Sequence, residues 1–209
     1  MYTEIVPGVF DITCRTLESG KRYRVFLFTD GTPTLFDAGF ADTTDAVFDA
    51  IDAIGVEPER LVITHGDGDH VGGFDAIVER YGLETWVPEQ TTLETDSSPA
   101  HRFGDGDEIG RFVAVHVPGH GPDNYAFVDE DAGIAVMGDA VSGADQRGLP
   151  AGYFHLPPAV YSADLNLAED SLERLLAYEF DVGLVFHGSS VTENAREKLE
   201  RYVHLPGAP

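Results

Sequence analysis

The sequence has one cysteine, two lysines and no long apolar run, and each shortage narrows what the chain can be. With Cys14 alone, no disulfide can form within the chain and no thiolate cluster can hold a metal. Cys14 follows an apolar, strand-like stretch and reads as a small packed residue; a catalytic thiol is the sharper alternative. Lys21 and Lys198 are the only lysines, and 13 basic residues face 37 acidic ones, a net charge of −24. That leaves no basic stripe to meet phosphates, so nucleic acid is not expected as a partner. No stretch approaches the roughly 20 apolar residues of a membrane span, so no membrane partner is expected either. The N-terminus MYTEIVPGVF has neither a basic n-region nor an apolar h-region, so no secretory signal is expected and the expected location is cytoplasmic.

What is present describes a folded protein. A hydrophobic fraction of 43% and an aromatic fraction of 11% exclude disorder. The 209 residues suit one domain, large enough to bury about 70% of its unfolded surface. No linker or internal repeat divides them, so a single domain over 1–209 is expected. Acidic residues are spread along the chain, which points to an acidic surface and resembles the proteins of salt-in halophiles. The sequence leaves open whether the chain is a monomer or a homodimer.

The central stretch is Leu61–Gly73, LVITHGDGDHVGG. Its apolar, β-branched start reads as a buried strand. His65, Asp67, Asp69 and His70 then fall within six residues, separated by Gly66 and Gly68. Imidazole and carboxylate are the side chains that bind zinc or iron, and glycines let backbone fold tightly around an ion. Phe74, Ile77, Val78 and Tyr81 follow at helical spacing, with Gly82 as the stop. The cluster therefore sits on a strand-to-helix loop at a strand's carboxyl end, where open α/β proteins place their chemistry.

Elsewhere, Glu4–Thr13 reads as one strand with a bend at Pro7-Gly8, and Tyr23–Phe28 with Thr34–Phe36 as a hairpin around Asp30-Gly31. Ala41–Gly55 reads as a helix capped by Asp42 or a neighbouring threonine. Thr85–Val87 is a short strand; residues 88–110 read as loop with one turn of helix. Strands follow at Arg111–Val117, Tyr125–Val128, Gly133–Met137 and Val182–Phe186. Ser142–Tyr161 reads as irregular, stiffened by Pro150, Pro157 and Pro158 and able to cover a site with Tyr153, Phe154, His155 and Tyr161. Helices are expected at about 164–178 and at Thr192–Val203, the latter capped by Thr192. Strands in two groups, each with helices and neither a strict βαβ repeat, predict two mixed sheets packed face to face with helices outside.

Asp37, the segment His65–His70, His120, Asp139 and His187 each follow an apolar strand, each with glycine within two residues. That supplies ligands for two metal ions, each with a position left open for water. In this arrangement the chain resembles the metallo-β-lactamase superfamily, the αββα four-layer sandwich shared by zinc β-lactamases, glyoxalase II, lactonases and RNase Z. The family's HxHxDH loop appears as His65-Gly66-Asp67-Gly68-Asp69-His70. PGHGPDN at 118–124, MGDAVSG at 137–143 and FHGSS at 186–190 are similar to its later motifs.

The resemblance implies one metal position at His65, Asp67 and His120 and another at Asp69, His70 and His187, with Asp139 bridging. It implies a supporting role for Asp37, hydrogen-bonded around the loop. The ions it implies are two divalent cations, most often zinc, with iron or manganese as alternatives. Asp67 departs from the family's usual histidine. Three carboxylates against two divalent ions leave about one positive charge, where a histidine would leave two, by simple formal charges.

The expected activity is hydrolysis of a small ester, thioester or lactone, with Asp69 orienting the attacking water and Tyr161 donating a hydrogen bond to the developing oxyanion. Flavodiiron oxygen reductases also place a carboxylate at the Asp67 position, so a non-haem iron oxidoreductase is the second reading. A member that binds a ligand without catalysis is the third. The sparse basic residues argue against a nuclease, Asp139-Ala140 argues against one large β-lactamase group, and the short segment after His187 argues against glyoxalase II proper.

Overall fold

The apolar runs of the N-terminal half pair into one seven-stranded sheet whose strands lie in sequence order. The computed structural model describes residues 1–205. It divides into two compact units, Met1–Phe103 and the residues from Gly104 onward. In the first, β1 (Tyr2–Val6), β2 (Val9–Thr16), β3 (Arg22–Phe28) and β4 (Thr34–Phe36) are antiparallel. Helix α1 (Thr44–Ile54) leads to β5 (Arg60–Val62). Then come α2 (Gly68–Val71), α3 (Phe74–Tyr81), β6 (Glu84–Pro88) and β7 (His101–Phe103), and β4 to β7 run parallel.

Val25, Leu27, Leu35 and Leu61 on one face of this sheet pack with Val47 and Ile51 of α1 and with Phe74 and Ile77 of α3. Each such side chain contributes about 1.5–3 kcal/mol when fully buried. Phe26, Phe28 and Phe36 alternate with these and are also fully buried. Cys14 lies in the same core; burial pushes its thiol above the ordinary range, which suits a packed residue and not a nucleophile.

The second unit holds a five-stranded mixed sheet in the order β14-β11-β10-β9-β8. Its strands are β8 (Glu108–Ile109), β9 (Phe112–His116), β10 (Tyr125–Asp129), β11 (Ile134–Val136) and, near the end, β14 (Val182–Leu184). β11 and β14 are parallel, and the other neighbouring pairs of this sheet are antiparallel. Between them lie the ribbon β12 (Ser142–Gly143) and β13 (Phe154–His155), and helix α4 (Leu165–Ser171), which continues as 3-10 turns over Leu172–Ala177. Helix α5 (Ala195–Val203) follows β14. Val115, Val117, Ala126, Val128, Ala135 and Met137 form one sheet face, packed with Leu172, Leu175 and Leu199.

Several local expectations need correction. Pro7-Gly8 is not a bend in one strand but the turn of a hairpin, with Gly8 at φ 77°. Residues 88–110 contain β7 and β8, and the irregular segment 142–161 contains the β12–β13 ribbon. Among the described residues no side chain caps α1: Thr43 Oγ1 donates to the Phe40 carbonyl instead, at 3.0 Å. The last helix starts at Ala195, not Thr192. Its end is held by Asp181, whose side chain accepts from Asn194 N and whose carbonyl accepts from Ala195 N. That partner is distant in sequence, so cap spacing could not reveal it.

Candidate functional site

In the first unit the chemistry collects at the carboxyl ends of the parallel strands β4 and β5. Asp37 follows β4 in a left-handed conformation, φ 63°, which an aspartate tolerates better than most side chains. Its carboxylate is fully buried and accepts three hydrogen bonds. Oδ1 takes Thr64 N at 2.7 Å; Oδ2 takes Thr64 Oγ1 at 2.8 Å and His70 Nδ1 at 2.6 Å. Hydrogen bonds to a charged group contribute about 1.5–3 kcal/mol each, enough to hold a strained backbone costing about 1–3 kcal/mol.

Because Nδ1 of His70 faces a carboxylate, its proton sits there and Nε2 keeps the lone pair. That Nε2 lies 3.7 Å from Asp69 Oδ2. His65 mirrors this arrangement: Nδ1 is 3.0 Å from Thr64 Oγ1 and Nε2 is 3.7 Å from Asp67 Oδ2. The two imidazoles are buried with ring centroids 4.0 Å apart. Asp69 is largely covered, whereas Asp67 reaches the same spacing from a side chain that is 58% exposed. Gly73 has a packing reason, since a Cβ there would lie 2.3 Å from the Ala38 carbonyl. The close approach is fixed by Ala38 N donating to His70 O at 2.7 Å.

In the second unit His120, Asp139 and His187 come together from three loops. β11 and β14 are in parallel register, Val136 opposite Leu184, so Asp139 and His187 leave adjacent strand ends at the same level. His187 Nε2 is 3.1 Å from Asp139 Oδ2, and His120 Nε2 is 3.5 Å from the same oxygen. All three residues are buried. Asn124 joins two of the loops: Nδ2 donates to Val117 O at 3.0 Å and Oδ1 accepts from Asp139 N at 2.9 Å. Asp145 accepts from Ser189 N at 2.6 Å and Ser189 Oγ at 2.7 Å, while Gly143 N donates to His187 O at 2.8 Å. Gly119 is obligatory, because at φ 132° its Cβ would lie 2.2 Å from the Ala168 backbone.

These spacings suit metal ligands. Two donors about 2.1 Å from one ion, seen at the tetrahedral angle, lie about 3.4 Å apart. Each of the four imidazole–carboxylate pairs is within a few tenths of an ångström of that, with Nε2 as the facing atom. For His65 and His70, an Nδ1 held by Thr64 or Asp37 leaves Nε2 beside a carboxylate, the donor set of a zinc or iron site.

Thr64, Asn124 and Asp145 are positioning residues that sequence reasoning did not single out. Asn124 stood within the PGHGPDN motif, but its partner lies 15 positions on. Tyr161 sits on a 3-10 turn, 61% exposed, two residues before Ala163, whose N–H donates to the His120 carbonyl at 2.9 Å. Phe154 packs into the core, while His155, half-buried and with its pKa lowered by burial, turns Nδ1 to the Leu156 carbonyl.

Two mixed sheets with helices thus carry clustered histidine and aspartate at their strand ends. A sequence model of the metallo-beta-lactamase superfamily matches residues 23–188, and the chain belongs to that superfamily. A metallo-beta-lactamase from Pontibacter korlensis has the same fold, with TM-score 0.77 and 21% identity over 98% of this chain and 97% of that one. The αββα fold class expected from sequence therefore stands. Hydroxyacylglutathione hydrolase of Serratia proteamaculans is 36% identical over 86 residues, 39% of this chain and 33% of that protein. Atrochrysone carboxyl ACP thioesterase of Passalora fulva is 26% identical over 182 residues, 85% of this chain and 48% of that protein. The matches thus span a third to a half of these curated relatives. Among the described residues, no helix is long and apolar enough to cross a membrane.

Proposed function

We propose that this chain is a metal-dependent hydrolase that cleaves an ester, thioester or lactone of a small molecule with two divalent ions, zinc before iron or manganese. The observation that carries the reading is the repeated Nε2–carboxylate spacing of 3.1–3.7 Å in both halves of the chain. The assignment is His65, Asp67 and His120 to one ion and Asp69, His70 and His187 to the other, with Asp139 shared. Thioesters come first among substrates, because the relatives named above are a hydroxyacylglutathione hydrolase and an ACP thioesterase.

When bound, the ions would polarise the substrate carbonyl and supply an activated water. Asp69 would orient that water and take up its proton at Oδ2. Asp37 and Thr64 would keep the His65 and His70 imidazoles turned with Nε2 outward. Tyr161 would donate a hydrogen bond to the oxyanion as the carbonyl carbon becomes tetrahedral. The exposed carboxylate of Asp67 supports a second reading, a non-haem iron oxidoreductase, which iron in the purified protein and its colour would favour. The test is a screen of short esters, thioesters and lactones in molar salt, with and without chelator. Chelator-sensitive turnover of an acyl substrate is expected; oxygen consumption by iron-loaded protein without any hydrolysis would replace this reading by the second.

A further inference from the structure

Outside the histidine and aspartate clusters, the second unit contains a cavity of about 420 Å³ between the β12–β13 ribbon and α5. Leu149, Pro150, Tyr153, Phe154 and Leu205 give it apolar walls. That volume is in the range of small-ligand sites. Leu149, Tyr153 and Leu205 are each more than half exposed, so the apolar surface opens outward.

The charges around it are the unexpected part. The chain has 37 acidic residues, yet among the described residues no aspartate or glutamate lines this cavity. Its two charged lining groups are Lys198 and Arg201, one turn apart on α5. Arg201 is paired with Glu197 on the same helix. Lys198 forms no ion pair with a carboxylate among the described residues; its ammonium lies 5.5 Å from the centroid of the Tyr153 ring. Of the inner polar groups, burial holds His155 below its ordinary pKa and Tyr202 above its own, and the Tyr202 hydroxyl accepts from Leu156 N at 2.9 Å.

We propose that this cavity is a binding site for a small amphipathic carboxylate, its hydrocarbon part against Leu149, Pro150 and Phe154 and its carboxylate at Lys198. An apolar floor rejects ions, and a cation at the rim selects the sign of the head group. A cationic amphiphile would be opposed by both charged lining groups, and a neutral one would gain only the apolar contact. Arg201 adds long-range attraction but is already engaged by Glu197, so Lys198 is the deciding residue.

The site is also connected to the functional residues. Ala144 and Phe154 line it, and the adjoining backbone touches the His187 loop, Gly143 N donating to His187 O and Asp145, on the 3-10 turn after β12, accepting from Ser189. Occupancy would stiffen that loop from behind.

The experiment is calorimetric titration of the full chain with octanoate, 1-octanol and octylammonium at low and high salt, using wild type, Lys198→Met and Leu149→Asp. Lys198→Met keeps an apolar stem, and Leu149 is exposed, so both variants are expected to fold, which circular dichroism checks. Saturable octanoate binding is expected, at least tenfold tighter than octanol at low salt, with that advantage lost in Lys198→Met and octanoate opposed in Leu149→Asp. A carboxylate resting on a metal ion instead would ignore Lys198, and unchanged octanoate affinity in Lys198→Met overturns the proposal. So does equal binding of all three probes, or none. Sedimentation showing a dimer that Leu149→Asp dissociates would make this face a contact between copies and likewise overturn it.

Discussion

Replacing Asp37 by asparagine changes one oxygen for an amide nitrogen and tests how the histidines are prepared. The side-chain orientation is fixed, because Oδ1 must still accept Thr64 N, now at 2.7 Å. The new NH2 group then takes the place of Oδ2, facing Thr64 Oγ1 and His70 Nδ1 at 2.8 and 2.6 Å. The hydroxyl can turn and accept, so that contact survives. The imidazole can accept only by moving its proton to Nε2, the atom that faces Asp69. Asparagine tolerates the left-handed backbone at φ 63°, so no new strain arises. Apo stability should therefore fall by no more than about 1.5–3 kcal/mol, the value of one charge-assisted hydrogen bond. Metal affinity should fall about 10–100-fold, as for other changes behind a ligating histidine, which is about 1.4–2.7 kcal/mol. Competition with a chromophoric chelator measures the affinity, and nitrogen NMR of the apo protein reads the tautomer. Unchanged affinity together with a His70 proton still on Nδ1 would refute the reasoning.

Asp67→His should raise zinc occupancy at the first position, because an imidazole reaches further than the exposed carboxylate; equal two-site affinities in both variants would count against a weakened position. Gly119→Ala should destabilise the protein by about 2–6 kcal/mol in urea unfolding, summing backbone strain and overpacking against Ala168, and an unaltered midpoint would contradict the packing described. Tyr161→Phe should lower kcat on the order of 10²-fold on whatever acyl substrate is found; wild-type kcat and KM would make the tyrosine structural.

The strand-loop-helix around His65–His70 was legible because three signals coincided. An apolar run stops at Thr64, ligand-type residues crowd the turn, and helical spacing resumes at Phe74. The Asp30-Gly31 hairpin and the helix stops at Gly55 and Gly82 were equally local, since each glycine takes a positive φ that its neighbours do not. What sequence hid was tertiary. β7 and β8 are short runs within a loop-like composition, stabilised by pairing with β6 and β9 and not by propensity. The 3-10 continuation of α4 carries the same leucines a helix would, so periodicity could not separate the two. Asn124 and Asp145 act across 15 and 44 positions, a reach that no spacing rule covers.

The most direct test of the central claim is the metal stoichiometry of the purified, metal-replete protein by native mass spectrometry. Four imidazoles and three carboxylates, five of these seven side chains buried, make a donor set that bound cations would stabilise. Two divalent ions per chain are expected for wild type, with a lower melting temperature once chelator removes them. A chain that binds no metal under these conditions, and melts identically with and without chelator, would contradict the account.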